Sequence, residues 1–328
     1  MAEILMGIGT SHSPMLLMEP PAWRVRGETD DRVRNNLIDF DGAVISYDRL
    51  LAKTPETMAE QISDARIEAR HTANQRAIAR VGEILNEVDP DLVIIFGDDH
   101  KEVFLDDNMP ALSIYWGDTI PYKPQGIMKW PYDPKLKPEY WYWQDEREYP
   151  VAGAFANRLI GDLVEDGFDI GHSQHYRPGQ GMSHAFGYVY RRVMTDKIFP
   201  IIPISVNTYF PPNQVPPRRA YRLGRAIRKA VEAWSEPLRI VIMGTGGLSH
   251  FVVDEALDKQ FLEVLASGEE ARHASLPIEK LQSGNSELRC WTAVAGAVDH
   301  MTMDVIDYVP CYRSPAGTGC GMAFATWS

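Results

Sequence analysis

The sequence is poor in cysteine and has no dense block of positive charge. Its three cysteines, Cys290, Cys311 and Cys320, are odd in number and form no CxxC pair, which disfavours a disulfide framework, a structural zinc site and a thioredoxin-type motif. The 33 Lys and Arg face 45 Asp and Glu, so the formal net charge is −12, and no run of five Lys or Arg occurs. We therefore expect no nucleic-acid or acidic-membrane partner, and a reducing cytoplasm as the location.

Long apolar runs are missing as well. No segment approaches the ~18 apolar residues of a membrane-spanning helix, and the start, MAEILMGIGTSHSP, lacks the basic region of a signal peptide. We predict no membrane segment. Internal repeats and low-complexity tracts are also absent, and 45% hydrophobic residues are enough for a substantial core. The prediction is one catalytic domain covering residues 1–328.

What the sequence does contain is an alternation of two patterns. Apolar residues recur at three- and four-residue intervals in predicted helices at 71–88, 151–167, 219–234 and 286–298. Short apolar, β-branched runs predict strands at 3–9, 91–97, 111–117, 199–206 and 239–244. The alternation predicts an α/β fold, with a mixed central sheet and helices on both faces. Segments 19–50 and 118–149, rich in proline and aromatic residues, are predicted to be long ordered surface loops.

Histidines follow three of the predicted strands. The run at 3–9 leads into TSH and His12, the run at 91–97 leads into DDH and His100, and the run at 239–244 leads into TGGLSH and His250. A single histidine in such a place is more often a surface or capping residue. Ligands of open α/β sheets bind at the carboxyl ends of strands, however, so three imidazoles delivered there are expected to converge on one site.

Two histidines and one carboxylate can hold a divalent metal and leave positions open for substrate and oxygen, as in non-haem Fe(II) oxygenases. The same donors also form a common catalytic zinc set, which makes a zinc-dependent hydrolase the alternative, although an HExxH helix is absent. Candidate carboxylates are Asp254 and Glu255, which open a predicted helix. Stabilisation of the helix dipole would explain one of them equally well.

A fourth histidine, His184, stands in GQGMSHAFGYVYRRVM, after glycines and before an apolar-periodic helix. A place at a helix N-terminus is expected to lower the imidazole pKa, so that a neutral His184 could donate to a bound oxyanion. The alternative is a helix cap formed by Ser183, with His184 merely solvated.

Taken in order, the motifs GIGTSHSP, VIIFGDDHKEVF, SHAFG, PISVNTYFPPNQ, IMGTGGLSH, DEALDKQFL and SGNSELRCWTAVAGA…YRSPAGTG cover nearly the whole chain. Together they resemble the catalytic subunit of protocatechuate 4,5-dioxygenase, of the type III extradiol ring-cleavage dioxygenases. Within that family the sequence looks most similar to single-chain gallate and 3-O-methylgallate dioxygenases of lignin-derived aromatic catabolism.

The resemblance implies an Fe(II) enzyme that opens a catecholic aromatic acid of the 3-O-methylgallate, gallate or protocatechuate type with O₂. It assigns the iron ligands to His12, His100 and Glu255, with Asp254 as the fallback. It assigns the catalytic base to His250 and a second active-site role to His184. A homodimer that needs no separate small subunit is also implied. The loops at 19–50 and 118–149 have no clear counterpart in the protocatechuate subunit, so they are candidates for reshaping the pocket.

One departure concerns the substrate carboxylate. The family has a serine for it in the segment that matches YRSPAGTG, and Gly317 stands at that position here. Asn207, Tyr209, Arg177 and Arg313 lie in motifs near the expected site and are the candidates for substrate binding, although a structural role is the more common one for such residues.

Overall fold

The computed structural model describes residues 1–123 and 146–328, and shows a large mixed sheet flanked by helices. The strands are β1 Glu3–Thr10, β2 Leu37–Ile38, β3 Val44–Ile45, β4 Leu92–Gly97, β5 Leu112–Tyr115, β6 Thr119–Tyr122, β7 Arg147–Pro150, β8 Gly171–Ser173, β9 Ile201–Val206, β10 Arg239–Thr245, β11 His250–Val252, β12 Met303–Tyr312 and β13 Thr318–Trp327.

The helices are α1 Pro20–Val33, α2 Tyr47–Lys53, α3 Met58–Gln61, α4 Asp64–Val88, α5 Gly153–Glu165, α6 His184–Tyr188, α7 Pro217–Glu232, α8 Glu255–Ser267, α9 Glu270–Ala274 and α10 Leu288–Ala297. Short 3₁₀ helices cover Pro14–Leu17 and Ser283–Glu287, and α6 continues into a π-helical turn at Val189–Val193. The predicted fold class is confirmed. None of the helices in the described part of the chain combines the length and apolar character needed to span a bilayer.

The strand order of the main sheet is β11-β13-β1-β10-β4-β9-β5-β8, with β12 paired to β13. The pairs among β1, β10, β4 and β9 are parallel, whereas β13 and β5 run antiparallel to their neighbours β1 and β9. Parallel strands of such a sheet are buried on both faces. Accordingly, every residue of β4 and of β9 is buried, and β1, β4 and β10 end side by side at one edge.

Two apolar layers cover the sheet. On one face, residues of α5, α7, α8 and α10 pack around Phe96, Ile242 and Trp291. On the other face, residues of α1, α4 and α6 pack around Ile95 and Met243. The predicted helices and strands all lie within or close to observed elements, because burial on both sides requires the periodic apolar patterns that the sequence carries.

Segment 19–50 differs from its prediction as a loop. It contains α1, the β2-β3 hairpin and the start of α2. Pro20 and Pro21 stand in the first turn of α1, where the missing N–H costs nothing, so the proline pair begins this helix instead of preventing it. The middle of the second predicted loop, 124–145, lies outside the described residues; its ends form β6 and β7, which pair antiparallel.

Candidate metal and active site

Three strand ends deliver three histidines to one place. β1 ends two residues before His12, β4 ends at Gly97 directly before the sequence that leads to His100, and the turn after β10 leads to His250 at the start of β11. Because β1, β10 and β4 are parallel neighbours, these ends share one edge of the sheet. The structure therefore brings His12, His100 and His250 together.

The carboxylate at the centre of these histidines is that of Glu287. One of its oxygens, Oε2, lies 3.3 Å from His12 Nε2, while Oε1 lies 3.0 Å from His250 Nε2 and 3.7 Å from His100 Nε2. Glu287 is 2% exposed and ends the 3₁₀ turn directly before α10. It also accepts a hydrogen bond of 2.9 Å from the backbone N–H of Gly247. The turn after β10 and the start of α10 thus hold this carboxylate in place.

Glu255 lies elsewhere. Its Oε1 accepts a 2.9 Å hydrogen bond from the Tyr312 hydroxyl, its Oε2 lies 3.4 Å from Lys259, and its side chain is 38% exposed. Asp254, the fallback, caps α8 through the backbone N–H of Leu257 and pairs with Lys280 at 3.3 Å. Both residues therefore fit the structural alternative, in which acids stabilise the first turn of a helix.

A second buried acid, Asp98, contacts three of the histidines. Its Oδ1 lies 3.5 Å from His12 Nε2 and 3.9 Å from His184 Nε2, and its Oδ2 lies 2.8 Å from His100 Nε2. Within the described residues, the groups close enough to share an ion are His12, Asp98 and His184, and Asp98, His100 and Glu287. The two groups meet at Asp98 and exclude Glu255.

His184 joins the site at the start of α6. Its ring centre lies 4.8 Å from that of His12 and 4.7 Å from that of His100. Glu102 orients it, because its carboxylate accepts the backbone N–H of His184 at 3.1 Å and lies 2.8 Å from Nδ1. Ser183 occupies the N-cap position of α6 but makes no side-chain capping bond, since its hydroxyl donates to the carbonyl of Asp98 at 2.9 Å.

The predicted lowering of the His184 pKa is wrong. Burial lowers the pKa, but the carboxylates of Glu102, Asp98 and Glu287 outweigh it and raise the pKa to about 10. α6 has only five residues, so a helix dipole acts weakly there compared with a carboxylate in contact.

His250 is clamped by its surroundings. Its backbone N–H donates to Asn285 Oδ1 at 2.6 Å, and its Nδ1–H donates to the carbonyl of Leu248 at 3.0 Å, which directs Nε2 to Glu287. Gly247 and Gly284 lie against the ring: a Cβ on either would approach ring atoms to 2.8 Å and 2.2 Å. The ring therefore has a fixed orientation and little freedom to move.

Acids and imidazoles balance each other in the cluster. Burial raises the pKa of Glu287, but His250 and His12 oppose it and hold that pKa well below its usual value. Burial and Glu287 raise the pKa of Asp98, but contact with His100 and His184 outweighs them. The pKa of Asp98 therefore lies below its ordinary value. Burial lowers the pKa of His100 and of His250, but Asp98 and Glu287 respectively raise both above their ordinary values.

The donor set fits a divalent metal ion. Among the residues that the structure describes, neither ring nitrogen of His12 and neither oxygen of Asp98 makes an aligned hydrogen bond, although all four atoms are buried. Buried polar atoms are normally satisfied. Imidazole nitrogens and carboxylate oxygens converging on one point are the ligands that an Fe(II) or a Zn²⁺ ion uses.

Three acids of the cluster, Asp98, Glu102 and Glu287, were assigned no role from the sequence. Asp98 and Glu102 stand in the same GDDHKE stretch as His100, so proximity to a strand end was the available signal. The neighbouring Asp99 serves the backbone instead, because it accepts the N–H groups of Val103 and Phe104 at 2.8 Å and 3.2 Å. Burial, together with Glu102, raises the pKa of Asp99 to about 6.

Of the residues considered for substrate binding, Tyr209 is the one that contacts the cluster, its ring centre lying 4.9 Å from that of His100. Asn207 stabilises its own loop, donating to the carbonyl of Phe210 at 2.7 Å and accepting its N–H at 2.9 Å. Arg177 pairs with Asp107 at the surface at 3.0 Å. Arg313 is buried, and its Nε donates to Asp31 at 2.7 Å.

Comparison with known proteins gives the family. Residues 6–321 match the model of the catalytic LigB subunit of aromatic ring-opening dioxygenase. The chain belongs to this family. That confirms the resemblance seen in the sequence, and the LigB match extends from β1 to β13, across every residue of the cluster.

Relatives of the LigB-family chain include a 2,3-dihydroxyphenylpropionate/2,3-dihydroxicinnamic acid 1,2-dioxygenase from Comamonas testosteroni, 27% identical over 63% of this chain and 54% of that protein. A gallate dioxygenase from Pseudomonas putida is 33% identical over 37% of this chain and 38% of that protein. The chain thus spans about half, or less, of the length of these relatives. An uncharacterized protein of Escherichia coli K12 has a solved structure with a TM-score of 0.48 at 14% identity, covering 78% of this chain and 92% of that one.

Proposed function

We propose that this LigB-family chain is a non-haem Fe(II) dioxygenase that cleaves the ring of a catecholic aromatic next to its two hydroxyl groups. The observation that carries the proposal is the cluster around Glu287, which joins His12 and His100 at the carboxyl edge of the sheet. We assign the iron ligands to His12, His100 and Glu287, so Glu287 replaces the sequence-based choice of Glu255. Family membership does not favour the zinc hydrolase.

Fe(II) held by His12, His100 and Glu287 would supply a Lewis acid for the diol and redox chemistry towards O₂. We assign His250 Nε2 as the acceptor of a phenolic proton, because its Nδ1–H is committed to the carbonyl of Leu248. The Glu287 carboxylate, which raises the pKa of His250 by contact with Nε2, would be shared with the metal, and that would return Nε2 to its role as a base. In the overall reaction one ring C–C bond breaks, and both oxygen atoms of O₂ enter the product.

His184 stabilises negative charge that develops on oxygen during attack on the ring. Glu102 holds its Nδ1, which leaves Nε2 directed inward, 3.9 Å from Asp98 Oδ1. A preoriented donor of this kind requires no rearrangement when the charge appears. We assign Glu102 as the residue that positions His184.

The substrate is proposed to be an aromatic acid of the 3-O-methylgallate, gallate or protocatechuate type, derived from lignin. We further propose that the chain acts as one catalytic domain in the cytoplasm, and as a homodimer without a separate small subunit. Sedimentation equilibrium of the purified chain tests the dimer, and a monomer that is fully active alone contradicts it.

The test uses protein loaded anaerobically with Fe(II) and measures oxygen uptake with each of the three catechols, together with bound iron per chain. Glu287→Gln is expected to weaken iron binding by more than about 100-fold, exceeding the usual effect of a residue behind the ligands. Glu255→Gln is the matched control and should keep iron and activity. Loss of iron in the Glu255 variant alone would overturn the ligand assignment, and wild type with iron but no uptake would overturn the function.

A further inference from the structure

Asp98 lies between the two histidines that are assigned to the metal. Its Oδ1 is 3.5 Å from His12 Nε2, and its Oδ2 is 2.8 Å from His100 Nε2. Glu287 faces the same two nitrogens, at 3.3 Å and 3.7 Å. Two ligands at adjacent positions of one ion, each about 2.1 Å from it, lie about 3 Å apart. Carboxylates and imidazoles therefore alternate here at separations close to those of ligands that share an ion.

The carboxylate of Asp98 lacks the hydrogen bonds that the other acids of the cluster make. Asp99, Glu102 and Glu287 each accept a backbone N–H group, at 2.8, 3.1 and 2.9 Å respectively. In the described part of the chain, no donor makes an aligned hydrogen bond to either oxygen of Asp98, although this residue is 0% exposed. A buried carboxylate needs a partner, so its surroundings favour a cation beside Asp98.

The neighbouring imidazoles cannot act as that partner once a metal is bound. A histidine nitrogen that binds an ion has no hydrogen to donate, so Nε2 of His12 and Nε2 of His100 are lost as donors. His184 Nε2 lies 3.9 Å from Asp98 Oδ1, which is beyond hydrogen-bond distance. The ion itself is then the group that balances this carboxylate.

The fold holds Asp98 in this place. The residue follows Gly97, which ends β4, and its own carbonyl accepts the hydroxyl of Ser183 at 2.9 Å. A Cβ on Gly97 would come within 2.8 Å of the Ala185 Cβ, so α6 packs directly on the end of the strand. A side chain carried by a buried strand and a packed helix is positioned before any ligand binds.

We propose that Asp98 is a fourth protein ligand of the metal ion, beside His12, His100 and Glu287. The inference rests on the proposed function and extends its metal site by one carboxylate. Two carboxylates and two neutral imidazoles balance the charge of a divalent ion. Because carboxylate oxygens suit Mn²⁺ and imidazoles suit Fe²⁺, Mn²⁺ is a suitable probe of all four ligands.

The test measures calorimetric binding of Mn²⁺ to the purified, metal-free chain, in the absence of substrate. Asp98→Asn is expected to weaken binding by more than about 100-fold, as for Glu287→Gln, because substitutions behind the ligands cost about 10- to 100-fold. Asp99→Asn is the matched control, since it removes a neighbouring buried acid whose oxygens serve the backbone. It should weaken Mn²⁺ binding by less than about tenfold. A loss in Asp98→Asn no larger than that in Asp99→Asn would overturn the proposal.

A crystal structure of the Mn²⁺-loaded wild type gives the same answer without a variant, and so covers the case in which Asp98→Asn does not fold. An Asp98 oxygen about 2.2 Å from the ion identifies it as a ligand, at the usual distance for a carboxylate. An Asp98 carboxylate that is hydrogen-bonded to a ligand or a water, with both oxygens more than about 3 Å from the ion, would contradict the proposal.

Mn²⁺ affinity and oxygen uptake separate this inference from the proposed function. Oxygen uptake by the iron-loaded wild type, together with full Mn²⁺ affinity in Asp98→Asn, supports the dioxygenase and overturns the role of Asp98. Loss of Mn²⁺ affinity in Asp98→Asn, with no oxygen uptake by the iron-loaded wild type, supports Asp98 as a ligand and overturns the proposed function.

Discussion

Two regions of the molecule concentrate charge in opposite ways. The cluster around Glu287 combines imidazoles with acids and is buried except at His100. The outer face of α7 instead carries cations beside a cavity of about 750 Å³, namely Arg218, Arg219, Arg222, Arg225, Arg228 and Lys229. On α7 the partners are already matched: Glu270 Oε1 receives Arg218 at 2.9 Å and Arg222 at 2.7 Å, and both arginines are more than half exposed.

The two regions differ in how far solvent and neighbouring groups satisfy their charged side chains. Pairing with Glu270 stabilises the protein only slightly, because solvent screens ion pairs of the exposed α7 arginines. In the buried cluster, His12 and Asp98 have polar atoms without aligned hydrogen bonds in the described part of the chain. Dense charge alone is thus a weak indicator of a site, and burial combined with incomplete hydrogen bonding is a stronger one.

Breaking a buried ion pair should have the largest effect on stability. Arg313→Met leaves Asp31, which is 0% exposed, without its bidentate partner. We expect a loss of about 3 kcal/mol, the lower end for such pairs because Arg34 also lies near Asp31. Urea unfolding measures the loss. Adding Asp31→Asn should recover part of it, and an unchanged midpoint in Arg313→Met would contradict the expectation.

A buried histidine outside the site should make folding sensitive to acid. Burial lowers the pKa of His273 to about 4, below the value of about 6.5 expected when unfolded. With the folded pKa below the unfolded one, this contribution to stability is present above about pH 6.5 and is lost as the pH falls towards 4.

His273→Leu should therefore lose less stability than wild type between pH 7 and pH 5, by about 2 kcal/mol. Urea unfolding at both pH values measures the difference, and the exposed His172→Gln serves as the control. Parallel losses in wild type and His273→Leu would show that this histidine does not cause the sensitivity.

Removing the carboxylate that positions His184 should reduce catalysis without removing the metal. Glu102→Gln keeps the size of the side chain but lacks the charge that holds Nδ1. We expect kcat to fall by about 10- to 100-fold at unchanged iron content, as for a general acid–base residue that is misoriented. Oxygen uptake and iron analysis measure the two quantities, and loss of iron together with activity would assign Glu102 to the metal site instead.

The smallest effect is expected on α7. Arg218→Gln should change the free energy of unfolding by less than about 1 kcal/mol, since Arg222 still pairs with Glu270 and the site is exposed. Urea unfolding at low and high salt measures it. A loss of unfolding free energy as large as that of Arg313→Met would contradict the expectation that exposed ion pairs on α7 contribute less than buried ones.

The sequence predicted the sheet and the histidines because the signals are local. An apolar run that ends in glycine, as at Gly97, predicts a buried strand. It also predicts that the next residues lie at the edge of the sheet where that strand ends. Glu287 could not be found in this way, because it stands in a 3₁₀ turn and reaches the site only through the packing of α10 on the sheet. Glu255 had the stronger local sequence signal, an acid at the start of an amphipathic helix, but that signal reflects the stabilisation of the helix N-terminus.

The C-terminal strands were also missed, for reasons of composition. β13 is rich in glycine and alanine, and β12 contains Pro310, which normally argues against a strand. In the described structure β12 pairs with β13 alone, so Pro310 occupies an edge position where a missing N–H is tolerated. Tertiary pairing, and not local propensity, determined both strands.

Close packing of α7 on α10 has a consequence for engineering. A Cβ on Gly224 would come within 1.9 Å of the Ala293 carbonyl, and one on Gly296 within 1.9 Å of the Tyr221 carbonyl, so the two helices meet backbone to backbone. Glu287, one residue before α10, is anchored to this rigid pair. The β2-β3 hairpin belongs to a separate unit near the N-terminus. Substitutions in that hairpin should therefore leave the position of Glu287 unchanged, whereas a side chain at either glycine would displace it.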